Sequence, residues 1–313
     1  MCHLGLVPID SEHAATQAHH SDGEWVEQLL PYTPPLDSES LLAFLGARAI
    51  PGVEEYADGA YRRSLQLPGG PGMLELQPVG DRVRARYRLA DPGDLDRAAK
   101  RTRALLDLDS DPQAVLGALG GDPVIGSLVR ATPGRRVPGH VDAHELAVRA
   151  VLGQQVSVAG AVTHAARLVA AYGEPLAHPV GGVTHLFPSA AAVAAADPDR
   201  LAMPRSRRRA LISLAAALAD RELALDAESD RARARRALLA LPGIGPWTTE
   251  YIAMRALGDR DAFLETDLGV KRAVELLGLD SRPAAILELA EGWRPYRAYA
   301  LVHLWAYSPT IST

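Results

Sequence analysis

Leu241-Pro-Gly-Ile-Gly-Pro-Trp-Thr-Thr-Glu-Tyr251, followed by Asp261-Ala-Phe-Leu-Glu-Thr-Asp267-Leu-Gly-Val-Lys271, decides how the rest of the chain is read. Ahead of it, Arg231 to Ala240 has the period of a helix, with Ala234, Leu238 and Leu239 as its apolar stripe. Pro242 and Gly243 end that helix. Pro246 suits the first turn of the next one, where its missing N–H is no loss. The spacing therefore predicts two helices joined by a tight bend. Gly243 and Gly245 are free to take positive φ there and to leave backbone N–H groups bare.

Such a bend binds anions, because unpaired amides and the dipole of the second helix point at one spot. A DNA phosphate is the natural guest. A plain αα-hairpin with a glycine turn is the simpler alternative. Two further features weigh against it. Trp247 and Tyr251, at i and i+4, share one helix face, and Asp267 stands in a Thr-Asp-Leu setting that reads as a helix start. Bend, aromatic pair and trailing aspartate together resemble the helix–hairpin–helix DNA glycosylase superfamily.

The resemblance extends along the chain to the 3-methyladenine DNA glycosylase II, or AlkA-type, family. Val141-Asp-Ala-His-Glu145 with Val148-Arg-Ala-Val-Leu-Gly-Gln-Gln-Val-Ser-Val158 is similar to the segment that opens its catalytic lobe. Phe187-Pro188, Ala195-Ala-Asp-Pro198, Met203-Pro-Arg-Ser-Arg-Arg-Arg-Ala210 and Tyr296-Arg-Ala-Tyr-Ala-Leu-Val-His-Leu-Trp305 resemble its later parts. Phe44-Leu-Gly-Ala-Arg-Ala-Ile-Pro-Gly-Val-Glu54 and Tyr61-Arg-Arg-Ser-Leu65 resemble its leading domain.

The resemblance implies an enzyme, a hydrolase that rotates an alkylated purine such as 3-methyladenine or 7-methylguanine out of duplex DNA and cuts its glycosidic bond. Flipping a base requires a few kcal/mol of unstacking. It also requires a wedge, and Gln155 occupies that position; its alternative role is to satisfy loop carbonyls. The AlkA type carries an apolar residue there, whereas glutamine is familiar elsewhere in the superfamily. Trp247, Tyr251 and Trp305 match the pocket aromatics, whose faces attract a cationic base by roughly 0.5–2 kcal/mol per contact. Ala306 stands where the AlkA type has a further tyrosine, so the pocket is expected to be wider or differently selective. Trp293, Tyr296 and Tyr299 are read as core.

Asp267 takes the catalytic position, stabilising positive charge on the sugar and orienting water; its plain alternative is an N-cap. Asp261 and Glu265 are expected in solvated loop. Gly243, Ile244, Gly245 and Thr248 match the phosphate-binding hairpin, and the carbonyls of Leu239, Leu241 and Ile244 match a monovalent-cation site of related proteins. No cofactor is implied. Where the lyase branch carries a lysine this chain has Trp247, which cannot form a Schiff base, so a monofunctional enzyme leaving an abasic site is expected. Lys271 is assigned an intrahelical ion pair or a phosphate contact.

The composition fits this reading without dictating it. A chain of 313 residues, 48% hydrophobic and 23% charged, can bury a sizeable core. The net charge of −5 excludes a highly basic DNA coat but not a local basic face. Arg205, Arg207, Arg208 and Arg209 make one cluster, and Arg231, Arg233, Arg235 and Arg236 another; for each, a solvated helix face is the alternative. A single cysteine, Cys2, rules out a disulfide framework and four-cysteine zinc or iron–sulfur sites. With no long apolar run and no signal peptide, a cytoplasmic protein free of membrane contact is expected, acting on double-stranded DNA as a monomer.

The expected fold class is α+β. Residues 1–30, with His3, His13, His19 and His20, read as a flexible tail. Residues 31–115 read as a small antiparallel α/β domain: a helix from Ser38 to Ala47 capped by Asp37 or Ser38, strands Arg62–Leu67, Met73–Gln77 and Val83–Leu89, and a helix Asp94–Leu108. Residues 116–313 read as an all-helical glycosylase domain in two lobes, with the hairpin at 241–246. Asp142-Ala-His-Glu145 has capping-box spacing, and Gly173 to Pro188 reads as loop. Two rival functions stay open: the same superfamily acting on oxidised, deaminated or mismatched bases, and a non-enzymatic DNA-binding or damage-sensing protein.

Overall fold

A computed structural model describes residues 24–225 and 229–308. The elements run β1 (Val26–Pro31), α1 (Ser38–Gly46), β2 (Glu54–Ala57), β3 (Ala60–Leu67), β4 (Gly70–Val79), β5 (Arg82–Leu89) and α2 (Leu95–Leu105). Then follow α3 (Pro112–Leu119), α4 (Gly126–Ala131), α5 (Ala143–Leu152), α6 (Val158–Tyr172), β6 (Pro175–Val180), β7 (Val183–His185) and α7 (Ala190–Ala194). The last six helices are α8 (Arg205–Ala219), α9 (Arg231–Ala240), α10 (Pro246–Arg255), α11 (Leu268–Leu276), α12 (Pro283–Glu291) and α13 (Arg297–Tyr307). The fold class is α+β, as expected.

The five-stranded sheet is antiparallel with order β1-β5-β4-β3-β2. In β5 the period of two is plain: Val83, Ala85 and Tyr87 are buried, and the arginines alternate with them on the other face. Helices α1 and α2 cover the buried face, and Leu41, Leu42, Leu45, Ala98 and Leu105 complete this smaller core. Asp37, not Ser38, caps α1, by accepting from Ser40 N.

Four departures from the sequence reading stand out. Residues 26–30 belong to strand β1, paired with β5 from Val26↔Tyr87 to Pro31↔Arg82, so that part of the expected tail is sheet. Cys2, His3, His13, His19 and His20 lie outside the described residues. β2 pairs with β3, and the expected loop at 173–188 contains the β6–β7 hairpin. In the capping box, Asp142 accepts from Glu145 N, but Glu145 does not return the bond; its carboxylate is used elsewhere.

The larger core joins α3 to α13 with Ile50 and Val53 of the sheet domain. The two halves are also bound by a buried ring of charge. Arg63 donates to Glu54 at 2.9 Å and Glu145 at 2.6 Å, and Arg149 donates to the same carboxylates at 2.8 and 2.9 Å. Tyr61 Oη adds 2.6 Å to Glu54. Ligand atoms of Glu54, His140 and Glu145 lie within 4.8 Å of one another, a metal-like spacing. The two guanidiniums already satisfy those carboxylates, so the cluster is an ion-pair ring. Among the described residues no helix is long and apolar enough to cross a membrane.

Candidate active site

The bend closes as the proline and glycine placement requires. Gly243 takes φ +78°, and a Cβ there would stand 2.9 Å from the Cβ of Ala210 on α8. Gly245 differs from expectation: its φ is −100°, ordinary extended backbone, and a Cβ on it would meet nothing within 4 Å. Leu239 also departs from its expected place in the apolar stripe of α9, being 49% exposed while Ala234 and Leu238 are buried. Ile244 anchors the bend by its buried side chain, and its N–H donates to the Leu241 carbonyl at 3.2 Å. Among the described residues the N–H groups of Gly243, Gly245, Trp247 and Thr248 donate to no backbone carbonyl. They form the bare amide cluster that the helix start leaves open.

The Thr248 hydroxyl is engaged within the protein. Thr248 is buried and accepts from Gln154 Nε2 at 3.0 Å, and the same amide donates to the Gly243 carbonyl at 3.0 Å. Gln154 thereby ties the turn between α5 and α6 to the bend. Its neighbour Gln155 is exposed, with φ +56°. It is Gln154, not Gln155, that satisfies loop carbonyls.

Asp267 is an N-cap, and more. Its Oδ1 accepts from Gly269 N at 2.9 Å, Val270 N at 3.1 Å and Trp305 Nε1 at 2.9 Å. Its Oδ2 accepts from Trp247 Nε1 at 3.0 Å. A carboxylate offers about four lone-pair positions, two per oxygen. Oδ1 is therefore saturated, while Oδ2 keeps capacity for a further partner. The cap sets the direction of the carboxylate and the two indoles fix its rotation.

The aromatics close round it. Trp247 and Tyr251 stack with centroids 5.2 Å apart at 12°, and Tyr251 and Trp305 lie 6.5 Å apart, tilted by 47°. A planar guest held between two rings needs about 7 Å, two contacts of ~3.5 Å each, which is more than either separation here. Phe44 of α1 stacks on Trp305 at 6.2 Å and 16°. The Arg48 guanidinium lies 3.7 Å from the Phe44 centroid, and Arg255 lies 5.4 Å from that of Tyr251.

Phe44, Arg48 and Arg255 were not singled out as site residues by sequence reasoning. The available signal was the resemblance of the Phe44–Glu54 stretch, but nothing local says that α1 docks on α13. Burial lowers Arg48 to about 10, with Arg255 and Arg149 pushing the same way and Tyr251 opposing. Burial alone would raise the Tyr251 phenol, yet Arg255 and Arg48 outweigh it and leave it below 10. Arg255 donates to that phenol at 2.5 Å and to the Pro138 and Gly139 carbonyls at 2.7 and 3.0 Å.

The remaining aromatics are structural. Trp293 and Tyr299 are buried, and Tyr299 donates to Asp107 at 2.7 Å. Asp261 and Glu265 do lie in loop, but both are half-buried, and Asp261 holds Arg297 through two bonds of 2.9 Å. With Glu265 it lines a separate polar cleft of about 340 Å³, whose wall also carries the Arg235–Glu250 and Arg235–Asp259 ion pairs. Ala306 is exposed, and Lys271 is half-buried.

Residues 28–142 match the AlkA N-terminal domain, and residues 148–296 match the HhH-GPD superfamily of base excision DNA repair proteins. Over 282 residues the chain is 40% identical to DNA-3-methyladenine glycosylase 2 of Escherichia coli, covering 88% of this chain and 95% of that protein. The chain belongs to the AlkA-type DNA-3-methyladenine glycosylase family. Another AlkA-type relative, described as a probable bifunctional transcriptional activator/DNA repair enzyme from Mycobacterium tuberculosis, is 51% identical over 276 residues. That match covers 88% of this chain and 56% of the relative, so the chain spans little more than half the relative's length. The fold is similar to that of a 3-methyladenine DNA glycosylase from Archaeoglobus fulgidus, with TM-score 0.78 at 22% identity over 92% of this chain and 99% of that one. An 8-oxoguanine glycosylase/lyase from Clostridium acetobutylicum, in complex with double-stranded DNA, matches at TM-score 0.63 and 16% identity over 82% of this chain and 97% of that one.

Proposed function

We propose that the chain is a monofunctional DNA glycosylase of base excision repair. As a monomer on duplex DNA, it extrudes alkylated purines and hydrolyses their glycosidic bond. The observation that carries this is the Asp267 carboxylate, fixed by two indole N–H groups with Oδ2 still open at the edge of the aromatic cluster. As the bond from C1′ to the base breaks, the base leaves with the electron pair and the sugar turns cationic. Oδ2 stabilises that charge, and as water adds to C1′ it passes its proton to the Asp267 carboxylate. A cationic 3-methyladenine or 7-methylguanine is drawn to the faces of Tyr251, Trp247 and Trp305. Gln155 fills the gap left in the stack, and the bare amides at Gly243, Gly245 and Thr248 hold a backbone phosphate.

The hairpin carbonyls suit a monovalent cation. Those of Leu239 and Ile244 accept no backbone N–H among the described residues, and that of Leu241 accepts one. Such an ion would add positive charge beneath the phosphate. A second reading has support in the two guanidiniums beside the aromatic faces: Arg48 and Arg255 oppose a cationic base and suit a neutral, deaminated purine with a carbonyl oxygen.

The test is release of 3-methyladenine, 7-methylguanine and hypoxanthine from damaged duplexes. Asp267→Asn should lower every rate by 100-fold or more, in the range of about 10²–10³ seen when one charge-stabilising group is lost. Full activity in Asp267→Asn removes the proposed mechanism. A borohydride-trapped adduct with abasic DNA, lost in Lys271→Ala, would contradict the monofunctional assignment.

A further inference from the structure

We infer that Arg205 and Arg209 form a second grip on the DNA backbone beside the hairpin, one that recognises phosphate charge and not base sequence. The inference rests on the DNA-binding reading above. In sequence Arg205, Arg207, Arg208 and Arg209 are one cluster; the structure divides it. Arg207 is buried. Arg208 is spoken for, donating to the Pro198 carbonyl at 2.7 Å and to Asp199 at 2.9 Å. Arg205 and Arg209 are exposed, and neither makes a hydrogen bond or ion pair with any described residue.

Their direction follows from helix geometry. At roughly 100° per residue, positions 205 and 209 lie about 40° apart on α8. Ser206 and Ala210 come next round the helix on one side, and Arg208 lies on the other. The Ser206–Ala210 strip is what the bend rests on: a Cβ at Gly243 would stand 2.9 Å from Ala210 Cβ and 3.7 Å from the Ser206 carbonyl. The two unpaired guanidiniums thus border the bend that carries the bare amides, and the neutralised one faces away from it.

The second arginine cluster is divided too: Arg233 and Arg236 are exposed beside Asp230, and the other two are paired. Arg235 of α9 is bound by Glu250 at 2.6 Å and Asp259 at 2.7 Å, and Arg231 contacts Asp259 at 3.9 Å. On a chain of net charge −5, two unneutralised cations next to an anion-ready turn are a local reversal of the overall field. Neighbours at i and i+4 project about 5–6 Å apart on flexible arms, which suits a row of phosphates better than one small anion.

The test is a salt series. Binding of a duplex carrying a tetrahydrofuran abasic-site analogue is followed by fluorescence anisotropy against NaCl concentration. Each phosphate contact contributes about 0.9 to the slope of log K on log salt. The double variant Arg205→Ala/Arg209→Ala should therefore lose about 1.8 from the slope and bind more weakly at low salt. Arg205→Lys/Arg209→Lys should restore most of it, and Arg208→Ala should leave it as in the wild type. A wild-type slope in a folded alanine double variant overturns the proposal, as does an equal loss in Arg208→Ala. Failure of the wild type to bind the duplex at all would instead overturn the DNA reading, and this grip with it.

Discussion

Gly269 lies in the first turn of α11, between Asp267 and the indole of Trp305. A Cβ built on it would stand 3.0 Å from Trp305 Cδ1 and 3.1 Å from Asp267 Oδ1. The indole reaches the carboxylate because nothing grows from position 269. Alanine there is otherwise favourable, by about 1 kcal/mol in a helix interior. Gly269→Ala should accordingly keep or raise the unfolding temperature while excision falls about tenfold or more, the worth of a charged hydrogen bond of ~1.5–3 kcal/mol. The downfield indole N–H resonance of Trp305 should move as well. Unchanged activity with an unmoved resonance would show that the indole finds its place regardless. The N-cap role of Asp267 was legible in the sequence, and the position trailing the bend that the proposed chemistry needs is the same one. Its pairing with two indoles was not, since those bonds span the separation from α10 to α13.

At the level of elements, α8, α9, α10 and the bend were readable because their signals are local: Pro204, Asp230, the Pro242-Gly243 stop and Pro246 at a first turn. The strands missed are those whose reason lies elsewhere in the chain. β6 holds Pro175 and Pro179, which argue against a strand on sequence grounds, and it has β7 as its partner all the same. β1 has little alternation of its own and gains its place from β5. The turn after α5 was read correctly as an interruption, but its tie to the bend through Gln154 has no sequence signature. That tie fastens the turn that carries Gln155 to the hairpin. Gln154→Ala removes two neutral hydrogen bonds of about 1 kcal/mol each. Excision from duplex DNA should then fall roughly tenfold, and excision from a single strand, where no stack has to open, should change little. Equal losses on both substrates would sink the idea that Gln154 serves base extrusion.

Over the whole molecule, the site is assembled by both halves. Arg149, held in the ion-pair ring, also donates to the Arg48 carbonyl at 2.7 Å, just past the end of α1, which brings Phe44 to Trp305. The same arrangement makes stability depend on pH. His140 is buried against Arg63, Arg149 and Arg255, and burial first, then those charges, push its pKa well below 6.5. Burial, with Arg135, brings His303 down to about 4. Both are neutral in the folded state, so between pH 6.5 and 4 the unfolded chain binds more protons and stability falls as pH falls. Each contributes up to about 1.4 kcal/mol per pH unit over its window. The unfolding temperature should therefore drop from pH 7 to pH 5, and His303→Gln should flatten the drop; a flat wild-type profile would contradict it.

The open space above Gly245 has its own consequence. A methyl placed there touches no atom of the described residues, so heat, denaturant and spectroscopy should all report an intact molecule. Substitutions at such a position are silent until a partner arrives, and a survey of variants sorted by robustness alone would pass over a stretch of bare main chain that is left for something else to press against.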